Sequence, residues 1–490
     1  MTLSGVTVNR IDYALGSLPP GIGENPAVIG PASAGAYTAY AFGRKEDIVS
    51  TYTGGPLVEA ASYINYGTGK AVTCVRSATT TTGGYGTINV TGVTGTSAAT
   101  VDAAVHPIDE FEAYVEVVTG GTIASASPAI TYRWSLDNGR SKSAVTALGT
   151  ATSITIPGSV GVKFNFASGT LVAGDIVRVR TTPPKEGVSD MTAAYEALRV
   201  TALEWDFVLV ANCLDASEIA SLELWMQNLK TPPNRQPKWA LCNVRGPTTA
   251  ESFAAYVTAA GVIVANVNVL LTAVASGYSR TQSAVNARRY RRPVAWVAAV
   301  RAASAGIVGP AVSLAKVALG PLPADVQIMD ENGQPCEHNE ELFPGMDASR
   351  FLCLRTRGKK GVFIEKDRIM ASVGSDYDRI TRVKVMNKAE QVWTDYLENR
   401  VNGEIRVNAK SGFILDEDAL EIENGGKAAI EEALLRRPDA SDAYLVVARN
   451  NNILATRTLI CDGRVVPLAN PENITLTIGF SNPAARIQPV

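Results

Sequence analysis

The sequence predicts a mixed α/β protein with an inserted all-β domain and an extended strand arm at each end. Three observations support this fold class. Buried-type strands alternate with helical patterns before residue 78 and after residue 185. The stretch between them is rich in Thr, Gly and Ser and carries short periodic strands, and both chain ends are β-like segments set apart by Gly/Pro breaks.

The 490 residues are 46% apolar, which suffices for roughly three domains with substantial cores. We divide the chain into an N-terminal arm (1–20), an α/β domain (21–77 and 185–325), an inserted β-sandwich or small-barrel domain (78–184), a C-terminal α/β domain (326–470) and a C-terminal arm (471–490).

Composition excludes several classes of function. A net charge of −2 argues against direct binding to a nucleic-acid backbone. The six cysteines are scattered without a CxxC pair, as expected of buried thiols in a reducing compartment. The N-terminus lacks the pattern of a signal peptide. The apolar stretch 259–276 is interrupted by Asn266 and Asn268, so it is predicted to be a buried α/β segment and no membrane insertion is expected.

The α/β domain is predicted from strand and helix patterns on both sides of the insertion. A parallel, doubly wound sheet follows from their alternation. The predicted strands are 26–31, 71–76, 205–211 and 238–244, and the predicted helices are 58–63, 193–201, 216–229 and 250–260, followed by an Ala-rich helix and turn over 293–319. In the insertion, strands are predicted at 85–93, 111–118, 130–136, 153–156, 162–166 and 175–181.

The C-terminal region is predicted to hold strands at 350–355 and 360–365, a helix at 388–398 and a second helix at 416–437, weakened at Gly425 and Gly426. Two apolar runs, 444–448 and 453–460, flank the polar cluster Arg449-Asn-Asn-Asn452 and predict a β-hairpin.

The last predicted strand, 473–480, alternates strictly, with its apolar side chains on one face: Ile474, Leu476, Ile478 and Phe480. The linker 462–471 is long enough to carry this strand to a neighbouring subunit. Near the N-terminus, Val6, Val8 and Ile11 form a similar segment, cut off by the Gly/Pro-rich stretch 16–21. Each arm can therefore add a strand to another subunit's sheet, or fold back on its own domain.

Motifs for catalysis, cofactors or metals are not found. A serine hydrolase would have to use one of the two histidines, His106 or His338, but the sequence has no Gly-x-Ser-x-Gly nucleophile motif. Metal-binding side chains occur at Cys336, His338, Glu340 and Glu341, but no second cluster is spaced to complete a metal site. The stretches Gly67-Thr-Gly-Lys70 and Gly426-Lys427 lack the phosphate-loop pattern. We predict no catalytic, cofactor or metal residues.

One dense basic run, Arg288-Arg-Tyr-Arg-Arg292, resembles a nucleic-acid contact, but the neutral chain and the following Pro-started apolar segment favour a subunit contact or a solvated loop. Two alternative functions stay open. An enzyme on residues 185–325 would need polar groups converging near Asn212, Asp215 or Arg245. A static capsid or baseplate protein would have a similar composition without mobile arms.

The order of several segments resembles the tail sheath proteins of contractile phages and related injection devices, over about three quarters of the chain. The segments are 26–32, 52–57 and 69–76 at the front, and 376–378 with 382–383 and 387–388, 428–435 and 474–478 at the back. In that family, both arms donate strands to the C-terminal domains of neighbours.

The resemblance implies donated strands containing Val6, Val8 and Ile11, and Ile474, Leu476, Ile478 and Phe480, with a receiving hairpin at Leu445, Val447, Ile453 and Leu459. It also suggests that a helix faces the inner tube. We assign this role to Glu431, Glu432, Arg436 and Arg437, which a solvated polar face explains equally well.

As partners, the resemblance implies other copies in a helical polymer of sixfold rings, an inner tail tube protein, and baseplate and tail terminator proteins. The expected location is a virion tail assembled in the host cytoplasm. Contraction would drive the tube through a target envelope, leading to genome ejection, without consuming a nucleotide.

Overall fold

The computed structural model describes residues 25–475 apart from 93, 232–233, 235, 249–250, 268–270, 306–310, 321, 324–325, 330–340, 373, 437–438 and 472–474. The chain begins with β1 (Pro26–Pro31), β2 (Tyr40–Phe42), α1 (Lys45–Tyr52), α2 (Pro56–Thr68) and β3 (Val72–Ser77). Helix α2 has Pro56 at its first turn and ends on Gly69, whose φ of 68° is the left-handed conformation that glycine adopts readily.

The described residues of the inserted region form eleven strands: β4 (Gly84–Tyr85), β5 (Asn89–Thr91), β6 (Ala99–Val101), β7 (Glu112–Thr119), β8 (Gly121–Thr122), β9 (Thr131–Ser135), β10 (Thr146–Ala147), β11 (Ser153–Thr155), β12 (Lys163–Phe166), β13 (Thr170–Leu171) and β14 (Ile176–Thr182). The largest sheet has the order β10-β9-β7-β14-β4, and β11-β12-β6 form a second. Alternating side chains of both sheets meet in one apolar core.

The chain then returns to α/β alternation with α3 (Val188–Arg199), β15 (Phe207–Cys213), α4 (Ala216–Lys230), β16 (Trp239–Val244), α5 (Phe253–Ile263), β17 (Thr272–Ser276), β18 (Tyr278–Gln282), β19 (Arg289–Pro293) and α6 (Val294–Ala305). Asp215 caps α4 by accepting hydrogen bonds from the N–H groups of Ser217 and Glu218, while the Glu218 carboxylate accepts the N–H of Asp215.

Strands from both sides of the insertion build one six-stranded sheet of order β17-β16-β15-β1-β3-β2. All neighbours pair in parallel except β2, which lies antiparallel at one edge. Strands β1 and β16 are buried throughout, as expected where helices cover both faces of a parallel sheet. The predicted mixed α/β class is confirmed, and the antiparallel edge strand is an addition to it.

The remaining elements are β20 (Gln327–Met329), β21 (Leu354–Thr356), β22 (Val362–Ile364), α7 (Ile380–Glu398), α8 (Asp416–Ile430), β23 (Ala440–Val447), the one-turn α9 (Ile453–Thr456) and β24 (Cys461–Pro467). The helix α8 continues into a π-helical turn, Glu431–Leu435. Among the described helices, none combines the length and hydropathy that a bilayer crossing requires.

The predicted weakness of the second C-terminal helix at Gly425 and Gly426 is wrong, because α8 runs through both glycines. A Cβ on Gly425 would collide with the ring of Tyr396, and one on Gly426 with the side chain of Leu445. The glycines therefore allow α7 and β23 to approach α8 closely.

The hydrophobic cores divide the C-terminal half at a different place from the predicted boundary at residue 326. Buried side chains between Phe343 and Val383 pack into the core of the six-stranded sheet. A separate core contains Ala311 and buried residues from Val385 to Val447, contributed largely by α7, α8 and β23. The domain limits themselves stay a prediction.

Candidate assembly site

The C-terminal hairpin consists of β23 and β24, which pair antiparallel with Leu445 opposite Gly463. Strand β23 packs on α8, and β24 packs on α7. The inner face of β23 is buried through Ala443, Leu445 and Val447. A two-stranded sheet is marginal by itself, so these helices stabilise it.

The outer face of the hairpin carries apolar and charged side chains and is uncovered by the described residues. Tyr444, Val446 and Val466 are each at least 40% exposed on this face. Between them, the exposed side chains of Arg464 and Asp462 form an ion pair at 2.9 Å.

The predicted second hairpin strand, 453–460, is wrong. Ile453 and Leu459, assigned to the receiving sheet, lie in the connection between the strands, where Ile453 begins α9. The Asn452 side chain caps this turn by accepting the N–H of Ala455, and the N–H of Ile453 donates to the carbonyl of Gly412. These local contacts override the β propensity of the run. Leu445 and Val447 do lie in the hairpin, as predicted.

The predicted linker 462–471 is also wrong, because β24 occupies the first part of this stretch, as far as Pro467. Only residues 468–472 separate β24 from the alternating segment 473–480. Five residues span at most roughly 17 Å. A neighbour that receives this segment must therefore lie close to the hairpin.

The register shows which backbone groups face away from the hairpin. The N–H of Ala448 donates to the carbonyl of Ile460 at 2.9 Å, which marks these residues as a hydrogen-bonded pair. Bonded and non-bonded pairs alternate along an antiparallel ladder. The N–H and C=O groups of Ala443, Leu445 and Val447 on β23, and of Cys461, Gly463 and Val465 on β24, therefore point outwards.

The outer edge of β23 is capped by side chains. The N–H of Val447 donates to Oε1 of Glu423 at 2.8 Å, and the Val447 carbonyl accepts from Nη1 of Arg449 at 3.0 Å. Arg449 also donates to both carboxylate oxygens of Glu423, at 2.7 and 3.0 Å. These bonds lower the pKa of Glu423, so the cap is charged at neutral pH. At the other end, the N–H of Ala443 donates to Asp442 at 2.8 Å.

The outer edge of β24 has no such cap. Within the described part of the chain, the outward backbone groups of Cys461, Gly463 and Val465 form no hydrogen bond. The side chains of Cys461 and Val465 are only half-buried, in contrast to the inner residues of β23. The core is thus incompletely covered beside β24.

The remaining predicted assembly residues stay predictions. Both arms, with Val6, Val8, Ile11, Ile474, Leu476, Ile478 and Phe480, lie outside the described residues, as does Arg437. Glu431 and Glu432 are exposed on the π-helical turn, and the exposed Arg436, which follows it, lies 4.0 Å from Glu432.

The prediction of a solvated loop or subunit contact for Arg288–Arg292 is wrong for its buried members. Residues 289–293 form β19, and Arg291 and Arg292 are 2% and 3% exposed. Arg292 donates to both oxygens of Asp109, at 2.9 and 2.8 Å, and Arg291 pairs with Glu110. The partners lie about 180 positions away, at the start of the inserted domain.

This contact, which we call the junction, fastens the inserted domain to the α/β domain. Tyr290 on β19 belongs to the core of the inserted domain and packs against Phe111, with ring centroids 5.6 Å apart. Arg280 on β18 pairs with Glu112 at 3.1 Å. The two segments that connect the inserted domain to the α/β domain also pair with each other, through an antiparallel bridge between Thr81 and Lys185.

Buried carboxylates at the junction have perturbed acidities. Burial raises the pKa of Glu186 to about 7. Its Oε2 accepts a hydrogen bond from Asn212 at 2.6 Å, whereas Oε1 has no partner in the described structure. Burial also raises the pKa of Asp109, while Arg292 opposes that shift.

The polar residues considered for an enzyme do not converge on one point. Asn212 binds Glu186 and the Pro184 carbonyl, Asp215 caps α4, and Arg245 pairs with Glu251 at 2.8 Å. A cavity of about 190 Å³ does lie at the carboxyl end of β15, but the ion pairs of the junction line it. In the described ranges, no group of three or more His, Cys, Asp or Glu side chains is arranged to hold a metal ion.

Sequence reasoning missed Glu423, Arg449 and β24. A usable signal exists for β24, because the polar residues Asp462 and Arg464 alternate with Cys461, Gly463 and Val465. The central Gly463 obscured it. This glycine is needed because a Cβ there would lie 2.6 Å from the ring of Trp393.

Solved structures share this fold at low sequence identity. The sheath of the PVC extracellular contractile injection system in the contracted state is 10% identical, with a TM-score of 0.52 and 98% of each chain covered. The contracted helical sheath of the anti-feeding prophage is 11% identical, with a TM-score of 0.50, covering 98% of this chain and 99% of that one. The sheath tail protein Lin1278 from Listeria innocua is 13% identical, with a TM-score of 0.44 over 91% of this chain and 95% of that one.

The fold is therefore that of contractile sheath proteins, as the segment order predicted. No curated protein sequence matches the chain. The family described as DUF2586, N-terminal domain, matches residues 3–333, about two thirds of the sequence. The chain belongs to the DUF2586 family.

Proposed function

We propose that this protein is the structural subunit of a contractile sheath, which polymerises by strand exchange into a helical tube and contracts around a rigid inner tube. The observation that carries this proposal is the sheath fold over 98% of the chain. The uncapped β24 edge supports it independently, because an exposed strand edge is a template for pairing with another chain.

Strand exchange supplies a directional contact. Each added backbone hydrogen bond contributes about 0.5–1.5 kcal/mol net, and each buried Ile or Leu about 1.5–3 kcal/mol. The segment 473–480 offers four such apolar side chains on one face. A head-to-tail contact of this kind that does not close produces a helical polymer.

Contraction requires that the connections survive while the subunit bodies move. Paired strands keep the subunits linked, and the short connection 468–472 together with the Gly/Pro-rich stretch 16–21 allows the bodies to rotate. The extended lattice is metastable and relaxes to a wider, better-packed lattice. Contacts between bodies hold the energy difference, so no nucleotide is consumed.

The partners follow from this role. They are other copies of the chain in sixfold rings, an inner tube protein, and baseplate and terminator proteins at the two ends. The exposed Glu431, Glu432 and Arg436, with Arg437, are proposed to face the tube. The location is the tail of a virion or injection device assembled in the host cytoplasm, from which contraction drives the tube through the target envelope.

Electron microscopy of the purified full-length chain tests the proposal. Tubes or sixfold rings are expected. Monodisperse small oligomers over a wide range of concentration and salt would contradict it and favour an enzyme on residues 185–325. Closed shells or flat plates in place of tubes would instead indicate a static capsid or baseplate protein.

A further inference from the structure

We infer that the cavity between α7 and the amino-terminal ends of β15 and β16 binds a small oxyanion, of the phosphate or sulfate class, through Lys238, Lys384 and Lys388. This cavity has a volume of about 140 Å³, which is enough for several waters or one small polyatomic anion. It is separate from the cavity of the junction, which lies at the carboxyl end of β15. The inference concerns a single unassembled chain, so it does not depend on the proposed function.

One wall of the cavity comes from the α/β domain. Asp206 directly precedes β15, and Lys238 directly precedes β16, whose first residue, Trp239, also lines the cavity. The two strands are parallel, with Phe207 opposite Trp239, so their leading residues meet at the same edge of the sheet. Nζ of Lys238 therefore lies 4.0 Å from Oδ1 of Asp206.

The other wall is one face of α7. Its lining residues recur every three or four positions, which places them on the same side of the helix: Lys384, Asn387, Lys388, Gln391 and Asp395. Another side of α7 packs into the C-terminal core through Val385, Ala389 and Trp393. The helix is thus polar towards the sheet and apolar towards its own core.

Positive charge dominates the cavity. Three lysines line it against two aspartates, of which Asp395 is exposed to solvent. Lys384 is only 2% exposed. Burial lowers the pKa of Lys238, and although Asp206 opposes that shift, the nearby Lys388 adds to it. Buried charges cost free energy unless opposite charge compensates them, so this arrangement favours an anion in the cavity.

The donors around the cavity match a tetrahedral oxyanion. A lysine ammonium group is a compact point charge that binds phosphate well, and the side-chain amides of Asn387 and Gln391 supply further N–H donors. The indole N–H of Trp239 is buried and has no hydrogen-bond partner among the described residues, although a buried indole N–H usually has one. An oxyanion in the cavity that this ring lines would offer an acceptor.

A bound anion would link two parts of the subunit. Lys384 and Lys388 belong to the helix that enters the C-terminal core, whereas Lys238 adjoins the sheet of the α/β domain. The same two parts are already joined by an ion pair, at 3.0 Å, between Lys230 at the end of α4 and Glu390 of α7. The anion is therefore expected to hold α7 more firmly against the sheet.

Calorimetric titration of the unassembled full-length chain with inorganic phosphate tests the inference. Saturable binding at one site is expected, and the midpoint of thermal unfolding should rise with phosphate concentration. Sodium chloride at equal ionic strength is the control. Binding no stronger than that of chloride would overturn the inference. A second titration with glycerol phosphate separates two sources of the group, because tighter binding than inorganic phosphate indicates a phosphate ester and weaker binding indicates the free ion.

Two variants locate the site. Lys384→Met and Lys388→Met each remove one ammonium group and keep an unbranched side chain, so each should weaken phosphate binding about tenfold. Lys427→Met is the matched control, because Lys427 is exposed on α8 and does not line the cavity. If Lys384→Met fails to fold, Lys388→Met still decides, since Lys388 is only half-buried. Unchanged phosphate affinity in a folded Lys388→Met chain contradicts the inference.

Lysine acylation, followed by mass spectrometry, shows where the anion binds. Phosphate should slow the acylation of Lys238 and Lys388 and leave that of Lys427 unchanged. Chloride at equal ionic strength should have no such effect. Protection confined to lysines outside the cavity would place the phosphate elsewhere on the chain and overturn the assignment.

Discussion

The junction and the C-terminal hairpin differ in whether their polar groups have partners within the described chain. At the junction, Arg291 and Arg292 lie buried against Asp109 and Glu110 and join the inserted domain to the α/β domain. At the hairpin, the outward backbone groups of β24 are left without a bond in the described structure, and the core beside them is partly open. The first region is complete within one chain, whereas we propose that the second is completed by another.

This difference indicates which parts move together. Removing one partner of a buried ion pair is costly, so the inserted domain is expected to travel with the α/β domain as one body during any rearrangement. An unpaired edge loses little by staying open in water and gains hydrogen bonds and burial on assembly. On this account, the junction keeps the subunit rigid, and the hairpin edge links it to other subunits.

The largest effect on stability is expected at the junction, from Arg292→Met. It leaves the buried Asp109 carboxylate without its bidentate partner, which should cost about 3–5 kcal/mol of unfolding free energy. Chemical denaturation of the unassembled protein measures this. Arg436→Met is the matched control, because its pair with Glu432 is 4.0 Å long and exposed, so a change below about 0.5 kcal/mol is expected. Equal effects would contradict the buried junction.

A pH dependence is expected next, from Glu186. Its raised pKa of about 7 means that the folded state favours the protonated form, so its contribution is full below the unfolded pKa of roughly 4.3 and is lost as pH rises through about 7. The loss should be roughly 2–4 kcal/mol between about pH 5 and pH 8. Facing charges are Lys185 and Glu218. Stability curves of Glu186→Gln should lack this slope, and an unchanged slope would exclude Glu186 as its source.

A smaller effect should follow from Gly463→Ala on the hairpin. The new Cβ would press on the Trp393 ring and push β24 away from α7, at about 1–3 kcal/mol. Thermal unfolding of the unassembled chain measures it. Gly43→Ala is the control, because a Cβ at Gly43 meets nothing within 4 Å. Similar melting shifts for both variants would argue against close packing of β24 on α7.

The smallest effect on stability is expected from Arg449→Gln, at about 1 kcal/mol or less, because the pair with Glu423 is partly exposed. Its informative result is local, since the amide of Val447 should exchange faster. Acidification should also make the amide of Val447 exchange faster. The lowered pKa of Glu423 means that the cap is present above about pH 4.3 and is lost as pH falls through the folded value. Unchanged exchange at Val447 in both conditions would show that the cap is not formed in solution.

The sequence predicted features that depend on local patterns. Continuous apolar runs such as 239–244 give buried parallel strands, and alternation gives the strands of the insertion, because each pattern reports directly which faces are covered. The junction was missed because it depends on distant partners. Arg291 and Arg292 look solvated in sequence because Asp109 and Glu110 are far away in the chain.

The candidate site was predicted in part for the same reason. The first strand of the hairpin was correct, but the second was placed too early, since Asn452 and Gly412 hold 453–456 in a helical turn. Glu423 has no sequence signal as an edge cap, because that role depends on α8 lying beneath β23. Position along the chain does not specify such contacts.

Deletion of residues 471–490 tests the central claim most directly, namely that one copy completes the sheet of another. The truncated chain should keep its circular dichroism spectrum and remain monodisperse, because the described cores are formed by residues before 471. Under conditions where the full-length chain forms tubes by electron microscopy, the truncated chain should form none. Tubes of normal length and number from the truncated chain would contradict the account.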